Sequence, residues 1–198
     1  MNIFVLTTGR SGSSSFIRAC SHITNYTSSH ESRSGDLGPE RLNYPPNHIE
    51  ADNRLSWFLG RLNSEYGDSA YYVHLIRDRI STANSFLKRF GTGIIGAYAN
   101  SIHWKVNKTV SPLEICVDYV DTVNENIKSF LLGKSKKQTV DLSNITEDFE
   151  RFWKNIGAEG DLQAALHEWQ SPTNTTAEAS VLQKLRSKIA IVKWTLRK

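Results

Sequence analysis

Cysteine and long apolar runs are both scarce in this chain of 198 residues. Its two cysteines, Cys20 and Cys116, are too few and too far apart in the sequence for a disulfide framework or a zinc site. We therefore expect them to pack as free thiols in a reducing compartment. No stretch approaches the ~18 apolar residues that a membrane-spanning helix requires, and no signal peptide precedes the first apolar run, which begins at Ile3. These absences predict a cytoplasmic protein without a membrane span.

Charge of either sign is modest as well. The chain has 24 Lys and Arg residues and 20 Asp and Glu residues, a net charge of +4. The basic residues do not form dense stripes with interleaved aromatic residues, so a nucleic-acid partner is not expected. Mild positive charge suits small anionic ligands instead. The length is sufficient for one domain over residues 1–198 with a sizeable core.

Apolar periodicity predicts alternating strands and helices. Strands are predicted near residues 3–8, 25–30, 71–76 and 137–142, and helices near 13–22, 52–65, 80–90, 112–132, 146–156 and 176–195. This alternation indicates an α/β fold with three layers, α/β/α, around a mostly parallel central sheet. The long connections 31–51 and 91–111 are expected either to border a binding pocket or to be ordinary surface excursions.

The connection after the first predicted strand is rich in glycine and hydroxyl residues. It reads Thr7-Thr8-Gly9-Arg10-Ser11-Gly12-Ser13-Ser14-Ser15. The glycines permit a tight turn, and the serines can begin the next helix. The N–H groups and positive dipole end of that helix, the hydroxyls and Arg10 would then face one anion. The pattern predicts a phosphate-binding loop; the alternative is that Ser13 only caps the helix and Arg10 is solvated.

Two better-known loop motifs do not fit this segment. A Walker A loop requires Gly-Lys-Ser/Thr, which is missing here. A nucleophile elbow requires Gly-x-Ser-x-Gly, but Ser13 stands where the second glycine should be. We also find no obvious acidic residue ending a second strand, as a kinase would need. These patterns argue against a hydrolase and against a kinase.

A second segment places an arginine at a predicted strand end. Arg77 follows the apolar run 71–76, and Ser85 stands eight residues later in a predicted helix. Open parallel α/β sheets bind ligands at the carboxyl ends of their strands. Arg77 could bind a phosphate there bidentately, and Ser85 could reach the same phosphate. The alternative is a local ion pair between Arg77 and Asp78.

Together the two segments resemble the sulfotransferase superfamily that uses 3′-phosphoadenosine 5′-phosphosulfate (PAPS). The run Arg10-Ser11-Gly12-Ser13-Ser14 is similar to the family's 5′-phosphosulfate loop, and Arg77-Asp78 with Ser85 is similar to its 3′-phosphate motif. The arginine at position 10 is closer to the carbohydrate-directed and bacterial branches. The resemblance extends over about the first ninety residues. A late Arg-Lys-Gly loop of the cytosolic branch has no counterpart, because the run 184–198 contains no glycine.

The resemblance implies a P-loop-like fold and transfer of a sulfuryl group from PAPS to a hydroxyl of a carbohydrate, lipid or small molecule, without a metal. Ser13, Ser14 and Ser15 would hold the 5′-phosphate, Arg77 and Ser85 would hold the 3′-phosphate, and Arg10 would stabilise developing charge. The alternatives are a P-loop kinase with a degenerate loop and a non-catalytic nucleotide-binding protein.

The resemblance also implies an acidic general base near the end of the second predicted strand, where Glu31 lies. His30 would orient Glu31 or compete with it, and the alternative is a structural carboxylate paired with Arg33 or Arg10. Since neighbouring strand residues point in opposite directions, we expect only one of His30 and Glu31 to face the transferred group.

Several other polar and aromatic residues have a simpler structural explanation. Asp52 could line the acceptor site or cap the following helix, and His74 is expected in the core. Ring stacking on a ligand or packing beneath a loop are the alternatives for four further residues: His103, Trp104, His167 and Trp169.

Overall fold

The computed structural model describes residues 1–103, 106–107, 109–170 and 181–196. Its contacts divide the chain into two compact units, each built from two segments. The first unit comprises Met1–Arg77 with Val123–Thr173, and the second comprises Asp78–Thr122 with Asn174–Lys198.

The first unit contains a parallel β-sheet. Within the described residues the sheet has five strands, in the spatial order β2-β3-β1-β4-β5. They are β1 Ile3–Leu6, β2 Thr27–His30, β3 His48–Ala51, β4 Tyr71–Ile76 and β5 Lys137–Asp141. In the central strand, Ile3 is in register with Ile49 of β3 and Tyr71 of β4. The prediction of an α/β fold with a parallel central sheet is confirmed.

Helices follow the strands along the chain. They are α1 Ser13–Cys20, α2 Leu59–Tyr66, α3 Arg79–Leu87, α4 Gly93–Ala97, α5 Pro112–Leu132, α6 Ile145–Ile156, α7 Leu162–His167 and α8 Val181–Thr195. Shorter 3₁₀ segments lie at Gly38–Leu42, Asn53–Trp57 and Leu142–Asn144, and a π-helical turn lies at Tyr98–Ile102.

Both faces of the sheet are covered within the first unit. Alternate residues of β1 point to opposite faces. Ile3 and Val5 join a core with Phe16 of α1 and the aromatic residues of α6. On the other face, Phe4 packs against Tyr66 of α2, with ring centroids 4.7 Å apart. The first unit therefore has the predicted α/β/α layers.

The second unit is helical. Phe86 of α3 packs edge-to-face on Tyr119 of α5 at 4.9 Å, and Phe90 packs on Trp194 of α8 at 5.4 Å. Cys116 is buried here as a free thiol, as Cys20 is in the first unit, and burial raises the pKa of Cys116 to about 12. Among the residues that the structure describes, no helix is both long enough and apolar enough to cross a bilayer.

Strand β3 was not predicted, and it lies inside the supposed connection 31–51. Its sequence, His48-Ile49-Glu50-Ala51, lacks an apolar run, yet all four residues are buried. They can be buried because the polar side chains satisfy one another, with His48 Nε2 3.2 Å from Glu50 Oε2.

The remaining differences concern helices. The predicted helix 52–65 is divided at Phe58 into a 3₁₀ segment and α2. The connection 91–111 contains α4 and the π-helical turn, and α7 was also not predicted. The predicted helix 176–195 is observed from Val181, since 176–180 lie outside the described residues.

Candidate functional site

The connection after β1 leaves toward a different face of the sheet from the connection after β3. Phe16 of α1, which follows β1, packs on the face that contains Ile3 and Val5. Tyr66 of α2, which follows β3, packs on the face that contains Phe4. Open α/β sheets bind ligands at the carboxyl edge where connections diverge in this way. The loop between β1 and α1 lies at this edge.

This loop has a tightly wound backbone. Gly9, Arg10 and Gly12 have φ values of 83°, 62° and 90°, all in the left-handed region. A Cβ at Gly12 would lie 2.9 Å from Leu142 Cδ1, and one at Gly9 would lie 3.0 Å from Asn53 Nδ2. A side chain at either position would combine a left-handed backbone with a close contact, so glycine is favoured at both. Positive φ at Arg10 is a local strain of the kind that often accompanies binding sites.

Buried hydroxyl groups hold the loop in place. Thr7 and Ser11 share a hydrogen bond between their side chains, and the N–H of Gly9 donates to Thr7 Oγ1 at 3.2 Å. Ser56 Oγ donates to the carbonyl of Thr7 at 3.1 Å. The hydroxyl of Ser11 thus holds the shape of the loop. The main chain of the loop is then the part that could contact a ligand.

Helix α1 begins without a side-chain cap. Gly12 is the N-cap residue, and its carbonyl accepts the first helical hydrogen bond, from Phe16 N at 2.9 Å. In an α-helix the first-turn N–H groups point along the axis toward the N-terminal end, and here that turn begins at Ser13. No acidic residue in that turn offsets the positive end of the helix dipole. The start of α1 is therefore suited to an anion.

Arg77 lies beside the same loop. It directly follows β4, which pairs with β1, and it is exposed to solvent. Its Nη1 donates to the main-chain carbonyl of Arg10 at 3.4 Å. The structure thus brings together two cationic residues that were predicted from separate segments of the sequence.

Asp78 and Ser85 belong to the second unit. The carboxylate of Asp78 accepts a hydrogen bond from the N–H of Ser81 at 2.7 Å and caps α3. Ser85 is half-buried on that helix. Its assignment to the 3′-phosphate stays a prediction.

His30 and Glu31 contact different partners. His30 Nε2 lies 3.0 Å from Ser13 Oγ at the start of α1. Glu31 has a φ of 52°, and its Oε2 lies 2.8 Å from Arg54 Nη1 in an ion pair that lacks hydrogen-bond geometry. Glu31 is therefore paired with Arg54. The sequence analysis missed Arg54 because it follows the unpredicted strand β3.

Strand β3 fixes the chain on both sides of Glu31. The fully buried carboxylate of Glu50 accepts hydrogen bonds from the N–H and the hydroxyl of Ser32, at 2.9 and 2.5 Å. On the other side, the N–H of Glu31 donates to the carbonyl of Ala51 at 3.0 Å. Strand β3 thus holds Glu31 in its left-handed conformation.

Asp52 is an acidic residue directly after β3, beside β1, so the expectation that no strand end carries one was wrong. Its Oδ2 accepts from Arg41 Nη2 at 2.5 Å, and its Oδ1 accepts from Arg54 N at 2.8 Å, which caps the 3₁₀ segment. Burial raises the pKa of Asp52, and these contacts partly oppose the change. Both oxygens of the Asp52 carboxylate thus accept hydrogen bonds from Arg41 and Arg54.

Within the described residues, neither a metal-ligand cluster nor a Gly-Lys-Ser/Thr triplet lies in the loop before α1. In the described part of the chain, no group of three or more His, Cys, Asp and Glu residues is arranged to hold a metal ion. A Gly-Lys-Ser triplet does occur at residues 133–135, but it precedes a strand instead of following one. There the ammonium of Lys134 contacts Asn63 and lies 4.8 Å from the ring centroid of Phe130.

Three of the remaining candidates contact other side chains of the protein. His74 is buried, with Nε2 3.0 Å from Asn124 Oδ1, and burial lowers its pKa. Trp169 is half-buried and packs on Phe149 of the core. His103 lies 3.1 Å from Asp118 in the second unit. Trp104 is outside the described residues, and His167 ends α7.

A scan of protein-family models and a search of curated proteins each return no match to this chain. Its function is therefore inferred from the residues and geometry of the site.

Proposed function

We propose that this protein is a sulfotransferase that moves the sulfuryl group of PAPS onto a hydroxyl of a carbohydrate, lipid or small-molecule acceptor. The observation that supports this most is the convergence of Arg77 on the strained loop at the uncapped start of α1. The loop before α1 and Arg77, which come from the two segments that resemble the family, thus lie at the same edge of the sheet.

The donor groups at this edge fit an anionic phosphate. They are the first-turn N–H groups of α1, the hydroxyls of its serines and the guanidinium group of Arg77. We assign the guanidinium group of Arg10 to the same anion. The missing side chain at Gly12 leaves room for Leu142 behind the loop. Ser13, Ser14 and Ser15 would hold the 5′-phosphate of PAPS, and Arg77 would hold its 3′-phosphate. When bound, PAPS supplies the sulfuryl group and a phosphate leaving group.

The protein's own groups provide proton transfer and charge stabilisation. Arg54 holds Oε2 of Glu31, so we assign the other oxygen, Oε1, to the proton of the acceptor hydroxyl. Glu50 keeps Glu31 in position through Ser32. Arg10 and the start of α1 place positive charge where the leaving oxygen becomes negative. His30 positions the hydroxyl of Ser13.

A P-loop kinase with a degenerate loop is the second candidate, and Asp52 is the observation that favours it. An acidic residue at a strand end beside the phosphate loop is the usual ligand of the Mg²⁺ that accompanies ATP. Asp52 is committed to Arg41 at 2.5 Å, however, and it is fully buried. A binding protein without transfer activity would in turn have no use for the oriented carboxylate of Glu31.

The nucleotide that stabilises the protein tests this choice. We expect 3′-phosphoadenosine 5′-phosphate to raise the melting temperature without Mg²⁺, by about 5–10 °C when its concentration is ~100 times Kd. ATP with Mg²⁺ should raise it far less. Equal stabilisation by both ligands would favour the kinase, and no shift with either would contradict both proposals. The measurement is thermal unfolding followed by circular dichroism.

The phosphate contact of Arg77 has its own test. A charge-assisted hydrogen bond contributes about 1.5–3 kcal/mol, so Arg77→Ala should weaken binding of 3′-phosphoadenosine 5′-phosphate roughly tenfold or more. Adenosine 5′-phosphosulfate lacks the 3′-phosphate, and its affinity should hardly change. Isothermal titration calorimetry would measure both dissociation constants.

Arg79→Ala is the matched control, because Arg79 is two residues away and is paired with Asp121. It should leave both affinities unchanged. If Arg77→Ala weakens both ligands alike, Arg77 acts through its contact with the carbonyl of Arg10 and does not recognise the 3′-phosphate.

A further inference from the structure

The last helix, α8, presents apolar side chains to solvent. Leu185, Ile189, Val192 and Leu196 are 52%, 46%, 54% and 75% exposed. Their spacings of four, three and four residues place them on one helical face. Leu196 continues the helix, because its N–H donates to the carbonyl of Val192 at 2.9 Å. We call these four residues the apolar strip.

The opposite face of α8 is already packed in the second unit. Ser187 and Trp194 are buried. Trp194 Nε1 donates to the carbonyl of Val110 at 2.9 Å, and its ring packs edge-to-face on Phe90. The strip is therefore not the core-facing side of the helix. It is a second apolar surface, directed outward.

Basic residues flank the strip on both sides. At 100° per residue, Lys184 and Lys188 fall on one side of it and Arg186 and Lys193 fall on the other. All four are exposed, and the sequence from 184 to 196 contains no acidic residue. Long basic side chains can keep their charge in water while their stems lie along apolar surface.

The apolar strip and the basic residues beside it together indicate which kind of partner α8 fits. Two copies of the strip would bring lysines and arginines together, and no acidic residue on α8 could pair with them as in a coiled coil. A bilayer with anionic headgroups matches both features, because interfacial helices insert an apolar strip beside cations that contact lipid phosphates. We propose that α8 docks the protein on an anionic membrane surface, with the apolar strip inserted at the level of the headgroups.

The proposal is independent of the nucleotide site and can be tested with the full chain. Co-sedimentation would use vesicles of phosphatidylcholine alone and of phosphatidylcholine mixed with phosphatidylserine. We expect binding to the mixed vesicles, roughly tenfold or more weaker binding to the neutral ones, and weaker binding at higher salt.

Paired substitutions separate the apolar and the charged contributions. Leu185→Gln with Ile189→Gln should reduce binding to mixed vesicles by roughly tenfold or more, and Lys188→Glu with Lys193→Glu should do the same. Leu132→Gln is the control, because Leu132 is exposed in the first unit, outside the strip. All of these side chains are exposed, so we expect unchanged unfolding temperatures.

Three results would overturn the proposal. The first is binding to neutral vesicles that equals binding to mixed ones, and the second is unchanged binding after loss of Leu185 and Ile189. The third is no vesicle binding together with a dimer, seen by sedimentation velocity, that the same double substitution abolishes. That result would assign the apolar strip to a second copy of the chain.

Discussion

Glu31→Gln is expected to lower the turnover of sulfuryl transfer by about 10²–10⁴-fold, the usual cost of removing a general base. Glutamine keeps the size and shape of the side chain, and its carbonyl can still contact Arg54, which lies 2.8 Å from Glu31 in the ion pair. It cannot accept the proton of the acceptor hydroxyl. Affinity for 3′-phosphoadenosine 5′-phosphate should therefore be unchanged. Turnover would be measured with PAPS and the best acceptor from a screen of carbohydrates, lipids and phenols.

His30→Asn is the control for this prediction. The ring of His30 lies 3.0 Å from Ser13 Oγ, so its loss should alter nucleotide affinity more than turnover. If His30→Asn abolishes transfer while Glu31→Gln keeps most of it, the two roles are reversed. If neither variant loses turnover, the protein takes no base from the end of β2.

Arg41→Met is expected to lower the free energy of unfolding by about 3–5 kcal/mol, the cost of leaving one partner of a buried ion pair alone. The side chain of Arg41 is 3% exposed and that of Asp52 is 0% exposed, with Nη2 and Oδ2 2.5 Å apart. Arg41 also donates to the hydroxyl of Tyr44 at 3.1 Å. Methionine fills a similar volume, so the loss would report mainly the uncompensated carboxylate. Urea unfolding followed by fluorescence would measure it.

The double variant Arg41→Met, Asp52→Asn shows whether the pair is coupled. Removing both charges should cost less than the sum of the single changes, since neither charge is then buried alone. Additive losses would mean that Arg41 stabilises the fold through packing, for example on the ring of Phe58 at 5.2 Å.

The free energy of unfolding that Arg41→Met loses relative to the wild type is expected to depend on pH. Burial raises the pKa of Asp52 above its ordinary 3.8, so the folded protein takes up this proton at a higher pH than the unfolded chain does. Stability from this group therefore rises as the pH falls through the raised pKa. Arg41→Met removes a contact that opposes this rise, so its deficit relative to the wild type should shrink as the pH falls toward 3.8.

Local pattern alone determined the elements that carry strong periodicity. The buried runs of β1 and β4 are continuous and apolar, and the 21 residues of α5 repeat with helical spacing, so each was predicted close to its observed bounds. The glycine and serine spacing likewise predicted the loop before α1. These features depend on neighbouring residues, and a sequence displays neighbours directly.

Only the tertiary structure decided where strand β3 lies and what holds Glu31. A strand whose four residues include His48 and Glu50 becomes buried only when each polar group finds a partner, and Glu50 finds one in Ser32, 18 residues away. Arg54 reaches Glu31 across 23 positions for the same reason. Such pairings follow from strand order in the sheet, which depends on how the whole chain packs and is not encoded in any local repeat.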